Sequence, residues 1–271
     1  MLAPALMLLL SVTVATAQTP RLKNIFLCNG EDRTTPDPQI KGCTALIDAG
    51  GENVKTLASA YNNRGDAYIA KGEYDLAIND FDQSIKLNPE SARTFNNRGV
   101  AYKKKGEYDR AMQDFEEAIK LNPMSAGTFA NRAGIYEQKG EYVRAAQDYD
   151  EAIRLAPSVE TAWKGRCWNR AIIGELDEAL SDCNEALRLE PDNAAALDSR
   201  GFAYLKKGQW DLAIADYSSA LRLNPKLASS LYGRGLAKVK KGDPTGADAD
   251  VAAAKAIAPN IAGEFERYHM Q

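Results

Sequence analysis

The sequence predicts an all-α solenoid, built from six stacked helical hairpins with a cap at each end. Three observations predict it. Proline recurs every 34 residues, at Pro89, Pro123, Pro157, Pro191, Pro225 and Pro259. Glycine and alanine recur in step with it. Between these marks, apolar residues stand three and four apart, which is the spacing of a helix face and not of a strand. Such a hairpin cannot bury both faces by itself, and stacking on its neighbours buries them.

Counting each proline as unit position 32 sets the repeats at 58–91, 92–125, 126–159, 160–193, 194–227 and 228–261. The first helix of each unit ends at position 15, which is always glycine: Gly72, Gly106, Gly140, Gly174, Gly208 and Gly242. Glycine closes a helix and lets the chain turn. The second helix carries alanine at position 20: Ala77, Ala111, Ala145, Ala179, Ala213 and Ala247. A side chain this small permits close approach to the first helix. Position 8 serves the same purpose from the other side, with Gly65, Gly99, Ala133, Cys167, Gly201 and Gly235. Proline at position 32 stops the second helix.

Outside the repeats, residues 18–57 read as an N-terminal cap, with Ile40, Leu46 and Ile47 placed to dock on the first repeat. Residues 262–271 read as a C-terminal capping helix or tail, within the stretch NIAGEFERYHMQ that follows Pro259. Residues 1–17 read as a secretory signal peptide: an apolar run, then Ala15-Thr16-Ala17 as a small-residue cleavage site before Gln18. The run is too short for a membrane span, which needs about 20 apolar residues. No integral span is expected after cleavage, and export points to a periplasmic or secreted protein.

Export places the four cysteines in an oxidising setting, where an even count favours disulfides. Four cysteines allow three pairings, and spacing alone does not choose. Cys28–Cys43 is the favoured bridge, closing an irregular loop in the cap. Cys167–Cys183 would staple the fourth hairpin, since their positions, 8 and 24, are elsewhere small and large. Two buried free thiols are the alternative for this second pair. Arg170 stands where most repeats carry tyrosine. It is placed to reach Asp177 or Glu178, or the groove beside Trp168.

Arginine fills position 7 in every repeat: Arg64, Arg98, Arg132, Arg166, Arg200 and Arg234. Aspartate fills position 23: Asp80, Asp114, Asp148, Asp182, Asp216 and Asp250. A planar guanidinium suits two-pronged contact with a carboxylate, so a structural ladder of ion pairs is expected, within or between repeats. Two separate solvated stripes are the alternative.

The chain has 271 residues and a net charge of −3. No basic excess exists to hold nucleic acid or an anionic membrane. The single histidine, His269, lies in the last three residues, so histidine triads and HExxH metal sites are not expected. No glycine-rich phosphate loop follows a strand. The sequence therefore reads as non-enzymatic, with no cofactor and no metal.

Stretches such as YNNRGDAYIAKGEYDLAINDFDQSIKLNP, at 61–89, strongly resemble the tetratricopeptide repeat family. The resemblance covers residues 58–259. The N-terminal part more loosely resembles a group of exported bacterial members. The resemblance implies a right-handed superhelix whose first helices line a concave face. It also implies that positions 2, 5, 9, 12 and 13 point into that face. Repeats one to three would then present Asn62, Asp66, Asn96, Lys103, Lys104, Glu137 and Gln138. Repeats four to six would present Trp168, Ile172, Phe202, Leu205, Tyr232, Leu236 and Val239. This second set is unusually apolar for a solvated groove, and aromatic anchors in a concavity are typical of binding sites. Packing between first helices, or under the C-terminal cap, is the alternative. Some family members grip a terminal carboxylate with Lys and Asn at set positions. Here only Asn97 matches, beside Asn62, Asp66, Gly127 and Asn131, so that mode is not expected.

Two functions remain. One is an interaction scaffold binding a protein or peptide segment in the groove of repeats four to six. The other is an assembly subunit of a cell-envelope complex, using its convex face or edges.

Overall fold

The computed structural model describes residues 20–30 and 35–268. The expected signal peptide and His269 lie outside the described residues. Among those described, the chain is all helical, with fifteen helices in repeated hairpins. It divides into two compact units, one ending at Pro89 and one beginning at Glu90.

The first unit begins with α1 (Pro20–Cys28) packed against α2 (Pro36–Ala49). Cys28 and Cys43 are joined by a disulfide, with Cα atoms 4.5 Å apart. Both are buried with Leu46 and Ala60, and Ile25 and Ile47 pack around them. The bridge does not close an irregular loop, as the sequence suggested. Cys43 sits well inside α2, and Cys28 ends α1. Pro36 opens α2 from Thr35, because a proline in the first turn lacks only an N–H that would be unpaired there. The first repeat follows as α3 (Val54–Lys71) and α4 (Tyr74–Leu87). Asn53 caps α3 by accepting from the Thr56 amide, so this helix starts four residues before the counted repeat.

The second unit holds five hairpins: α5 (Ala92–Lys105) with α6 (Tyr108–Leu121), α7 (Ala126–Gln138) with α8 (Tyr142–Leu155), α9 (Glu160–Ile173) with α10 (Leu176–Leu189), α11 (Ala194–Lys206) with α12 (Trp210–Leu223), and α13 (Ala228–Lys241) with α14 (Pro244–Ile257). A seven-residue helix, α15 (Ile261–Arg267), closes the unit. The turns depend on left-handed glycines. Gly106 has φ 79° and Gly174 has φ 95°, a region that costs other residues strain.

The hairpins close by a small-against-large rule. A β-carbon added at Gly65 would lie 2.6 Å from the ring of Phe81, and one at Gly99 would lie 2.7 Å from the ring of Phe115. Tyr217 fills the space beside both Gly201, in its own hairpin, and Gly233, in the next. Phe81, Phe115 and Tyr217 are wholly buried, so the absent side chain on one helix is the space the ring occupies.

Candidate partner-binding surface

Position 7 and position 23 meet on facing helices. Each position 7 guanidinium donates two hydrogen bonds to the aspartate 16 residues later. Arg64 Nε lies 2.7 Å from Asp80, Arg132 Nε 2.8 Å from Asp148, and Arg200 Nε 2.7 Å from Asp216. Arg98–Asp114, Arg166–Asp182 and Arg234–Asp250 repeat the arrangement. The contacts lie within each hairpin. In the fourth, fifth and sixth repeats the remaining guanidinium nitrogen also crosses to position 25 of the repeat before. Arg166 reaches Asp150, Arg200 reaches Asn184, and Arg234 reaches Ser218. In the first repeat, Arg64 uses that nitrogen on Thr44 of α2. The guanidiniums are mostly buried, and the adjoining carboxylates are the reason this burial is tolerated.

The fourth hairpin departs from this template in a coordinated way. Cys167 and Cys183 replace the small residue and the ring, and a disulfide joins them, with Cα atoms 5.3 Å apart. Both are wholly buried. Arg170 does not pair with Asp177 or Glu178. It donates to Asp182 at 2.8 Å, approaches Asp150 at 3.5 Å, and lies 3.5 Å from Glu175. Asp182 thus serves two guanidiniums. Where position 11 keeps its tyrosine, the ring lies beside the position 7 arginine, as Tyr102 does with Arg98 and Tyr136 with Arg132. The sixth repeat makes the same exchange as the fourth: Val251 replaces the ring, and Lys238 bonds Asp250 at 2.8 Å. In both repeats that lack a ring at 24, the residue at 11 is a cation that joins the ion pair.

The apolar side chains of repeats four to six come together, but not as an open groove. Ile172, Phe202 and Leu205 are buried, with Phe202 only 1% exposed. Trp168, Tyr232 and Leu236 are half-buried, and Val239 alone of the set is exposed. The cover is the chain's own C-terminal segment. Phe265 meets Tyr232 edge-on at 4.9 Å between ring centres and Phe202 at 5.8 Å. Tyr268 meets Trp168 at 5.2 Å, Phe202 at 6.0 Å and Tyr142 at 6.1 Å. Trp168 and Phe202 also touch each other, at 5.1 Å. Edge-to-face contact is the favoured arrangement of aromatic rings. Sequence reasoning did not find Tyr142, Phe265 or Tyr268. The three-residue spacing of Phe265 and Tyr268 was the available signal; Tyr268 itself lies one residue past the end of α15.

The polar residues of the earlier repeats make hydrogen bonds of their own in each unit. Asn62 is buried and donates to Asn63 and Asp66 in the first unit. In the second unit, Asn131 donates to Asn96 at 3.0 Å, and Asn96 to Asn97 at 3.2 Å. Glu137 accepts from Asn169 at 2.6 Å. Burial pushes the Glu137 carboxyl up and the Lys103 ammonium down. Lys104 and Gln138 are exposed. Asn169 is wholly buried, and sequence reasoning did not single it out. Among the described residues, no group of His, Cys, Asp and Glu is placed to hold a metal ion.

Family models match where the template is most regular. A TPR repeat model matches residues 65–106 and 203–242, and tetratricopeptide repeat models match 92–125 and 126–159. The chain belongs to the tetratricopeptide repeat family. The stapled fourth repeat lies between the matched spans of this tetratricopeptide repeat protein. No curated protein matches its sequence. Solved structures match its fold. A tetratricopeptide repeat protein from Parabacteroides merdae is 18% identical with a TM-score of 0.66, over 93% of this chain and 99% of that one. PilF of Pseudomonas aeruginosa is also 18% identical with a TM-score of 0.66, over 79% of this chain and 99% of that one. YrrB, described as a TPR protein with an unusual peptide-binding site, is 22% identical with a TM-score of 0.60, over 72% of this chain and 98% of that one. At these identities the likeness is one of fold. Tetratricopeptide repeats are interaction scaffolds, and that coarse role holds for this chain.

Proposed function

We propose that this protein is an exported, non-enzymatic scaffold that binds a protein or peptide segment on the aromatic face of repeats four to six. One observation carries the reading. Four rings from four consecutive repeats, Tyr142, Trp168, Phe202 and Tyr232, converge and receive Phe265 of the short helix α15 and Tyr268, the residue that follows it. That is the form a bound segment takes in a helical groove. YrrB offers a precedent in the same fold for a peptide-binding site. Export draws support from the two disulfides, which persist in oxidising compartments. No helix among the described residues is long and apolar enough to cross a membrane.

The test is partner capture from a cell-envelope extract with the wild type and with Trp168→Ala, a residue at the rim of the core. Capture should fall at least tenfold while helical circular dichroism is retained. Unchanged capture by Trp168→Ala would favour the alternative, in which the convex face or an edge joins an envelope complex.

A further inference from the structure

The last hairpin of a solenoid needs only a cover for its own open face. The C-terminal segment does more than this. Phe265 sits on repeats five and six, but Tyr268 reaches back to Trp168 in repeat four and Tyr142 at the start of α8 in repeat three. A residue placed only for solubility has no reason to lie that far from the chain end it covers.

The cradle also has the properties of a site formed without its occupant. Trp168 follows Cys167, which the disulfide fixes to α10. Phe202 follows Gly201, which Tyr217 packs against, and Arg200 one residue earlier is bonded to Asp216. These restraints do not involve α15. By contrast, α15 is held through Ile261, Phe265 and Tyr268, and a helix of seven residues is not stable alone in water. Burying three side chains, of which Tyr268 is only half-buried, leaves little surplus over the cost of ordering the segment. Opening is therefore cheap, and a preformed cradle is left behind.

We propose that α15 together with Tyr268 is an exchangeable occupant of the cradle, and that the partner docks with the same chemistry: a short segment, helical through its first aromatic, presenting two aromatic side chains three residues apart. The proposal rests on the reading that this face is the partner site. Tethering gives the chain's own segment a high effective concentration. The partner must therefore bind more tightly than α15 does, and α15 screens out weak apolar ligands.

The probe is a fluorescein-labelled peptide of residues 258–268, APNIAGEFERY. It is titrated by anisotropy against the full chain and against the full-chain double variant Phe265→Ala, Tyr268→Ala. The peptide should bind the variant at least tenfold more tightly than the wild type. A peptide with both aromatics replaced by alanine should not bind. Equal affinity for both proteins overturns the proposal, as does no binding to a folded variant. If the double variant fails to fold, Tyr268→Ala alone, which removes only a half-buried ring, takes its place with the same expected order. The outcome is separable from the capture test. Partner capture that depends on Trp168 while the peptide never binds would leave the site standing and remove the exchange.

Discussion

Asp182 takes three guanidinium hydrogen bonds, from Arg166 and Arg170, where Asp148 takes two from Arg132. Removing one partner of a buried pair strands the other charge and costs about 3–5 kcal/mol. Asp182→Ala should therefore lose more stability in urea unfolding than Asp148→Ala. Equal losses would mean that Arg170 contributes nothing through Asp182. Gly99→Val places carbon where the Phe115 ring lies and should cost about 1–3 kcal/mol, measured in the same way. Asp198 gives a pH dependence. Burial pushes its carboxyl up to about 6 against the hydrogen bonds from Ser230 and Ser229, which pull it down. The folded chain then holds a proton that the unfolded chain has released, so this group's stabilising contribution is lost as pH rises from about 4 to 6. Asp198→Asn should gain about 1–3 kcal/mol at pH 7 and little at pH 4. A gain equal at both pH values would contradict this. The partner of Arg170 was not legible in the sequence. Asp177 and Glu178 are near in the chain, but the guanidinium turns to Asp182, as Lys238 at the same position of the sixth repeat turns to Asp250.

At the scale of the helical hairpin, the sequence was most informative where it repeats. A glycine at 8 facing a ring at 24, and an arginine at 7 facing an aspartate at 23, are fixed offsets between two helices. Any model of the hairpin must bring such offsets together. The N-terminal cap was less legible because it has no sister copies. The stretch between Cys28 and Cys43 contains two prolines and two glycines and read as a loop. Pro36 and Pro38 instead occupy the first turn of α2, where they are tolerated. The fourth hairpin allows a direct test of the staple. Reduction should lower its stability by about 2–4 kcal/mol, as for a bridge closing a loop of 16 residues. The double variant Cys167→Gly, Cys183→Phe restores the pattern of repeats one and two. It should fold and lose sensitivity at this hairpin to reductant, read by thermal unfolding with and without dithiothreitol. A variant that cannot fold would show that the bridge does more than replace the packing.

At the scale of the whole molecule, period and composition made the repeat architecture readable, and the same regularity hid the site. The apolar run from Trp168 to Val239 is visible in the sequence as a departure from the polar first repeats. Whether it lies open is not visible, because the landing place of a terminal helix depends on which rings it meets and not on any period. The result is a cradle that already holds an aromatic pair. If the protein is exported as proposed, the mature chain should begin at Gln18, which intact mass measurement of protein recovered from cells will show. The central claim is that the partner meets the protein at this cradle. The most direct measurement places a photo-reactive phenylalanine analogue at position 168, or at position 212, an exposed leucine on α12, and irradiates intact cells. The account predicts a discrete cross-linked adduct from position 168 and none from 212. An adduct from 212 with none from 168 would contradict it.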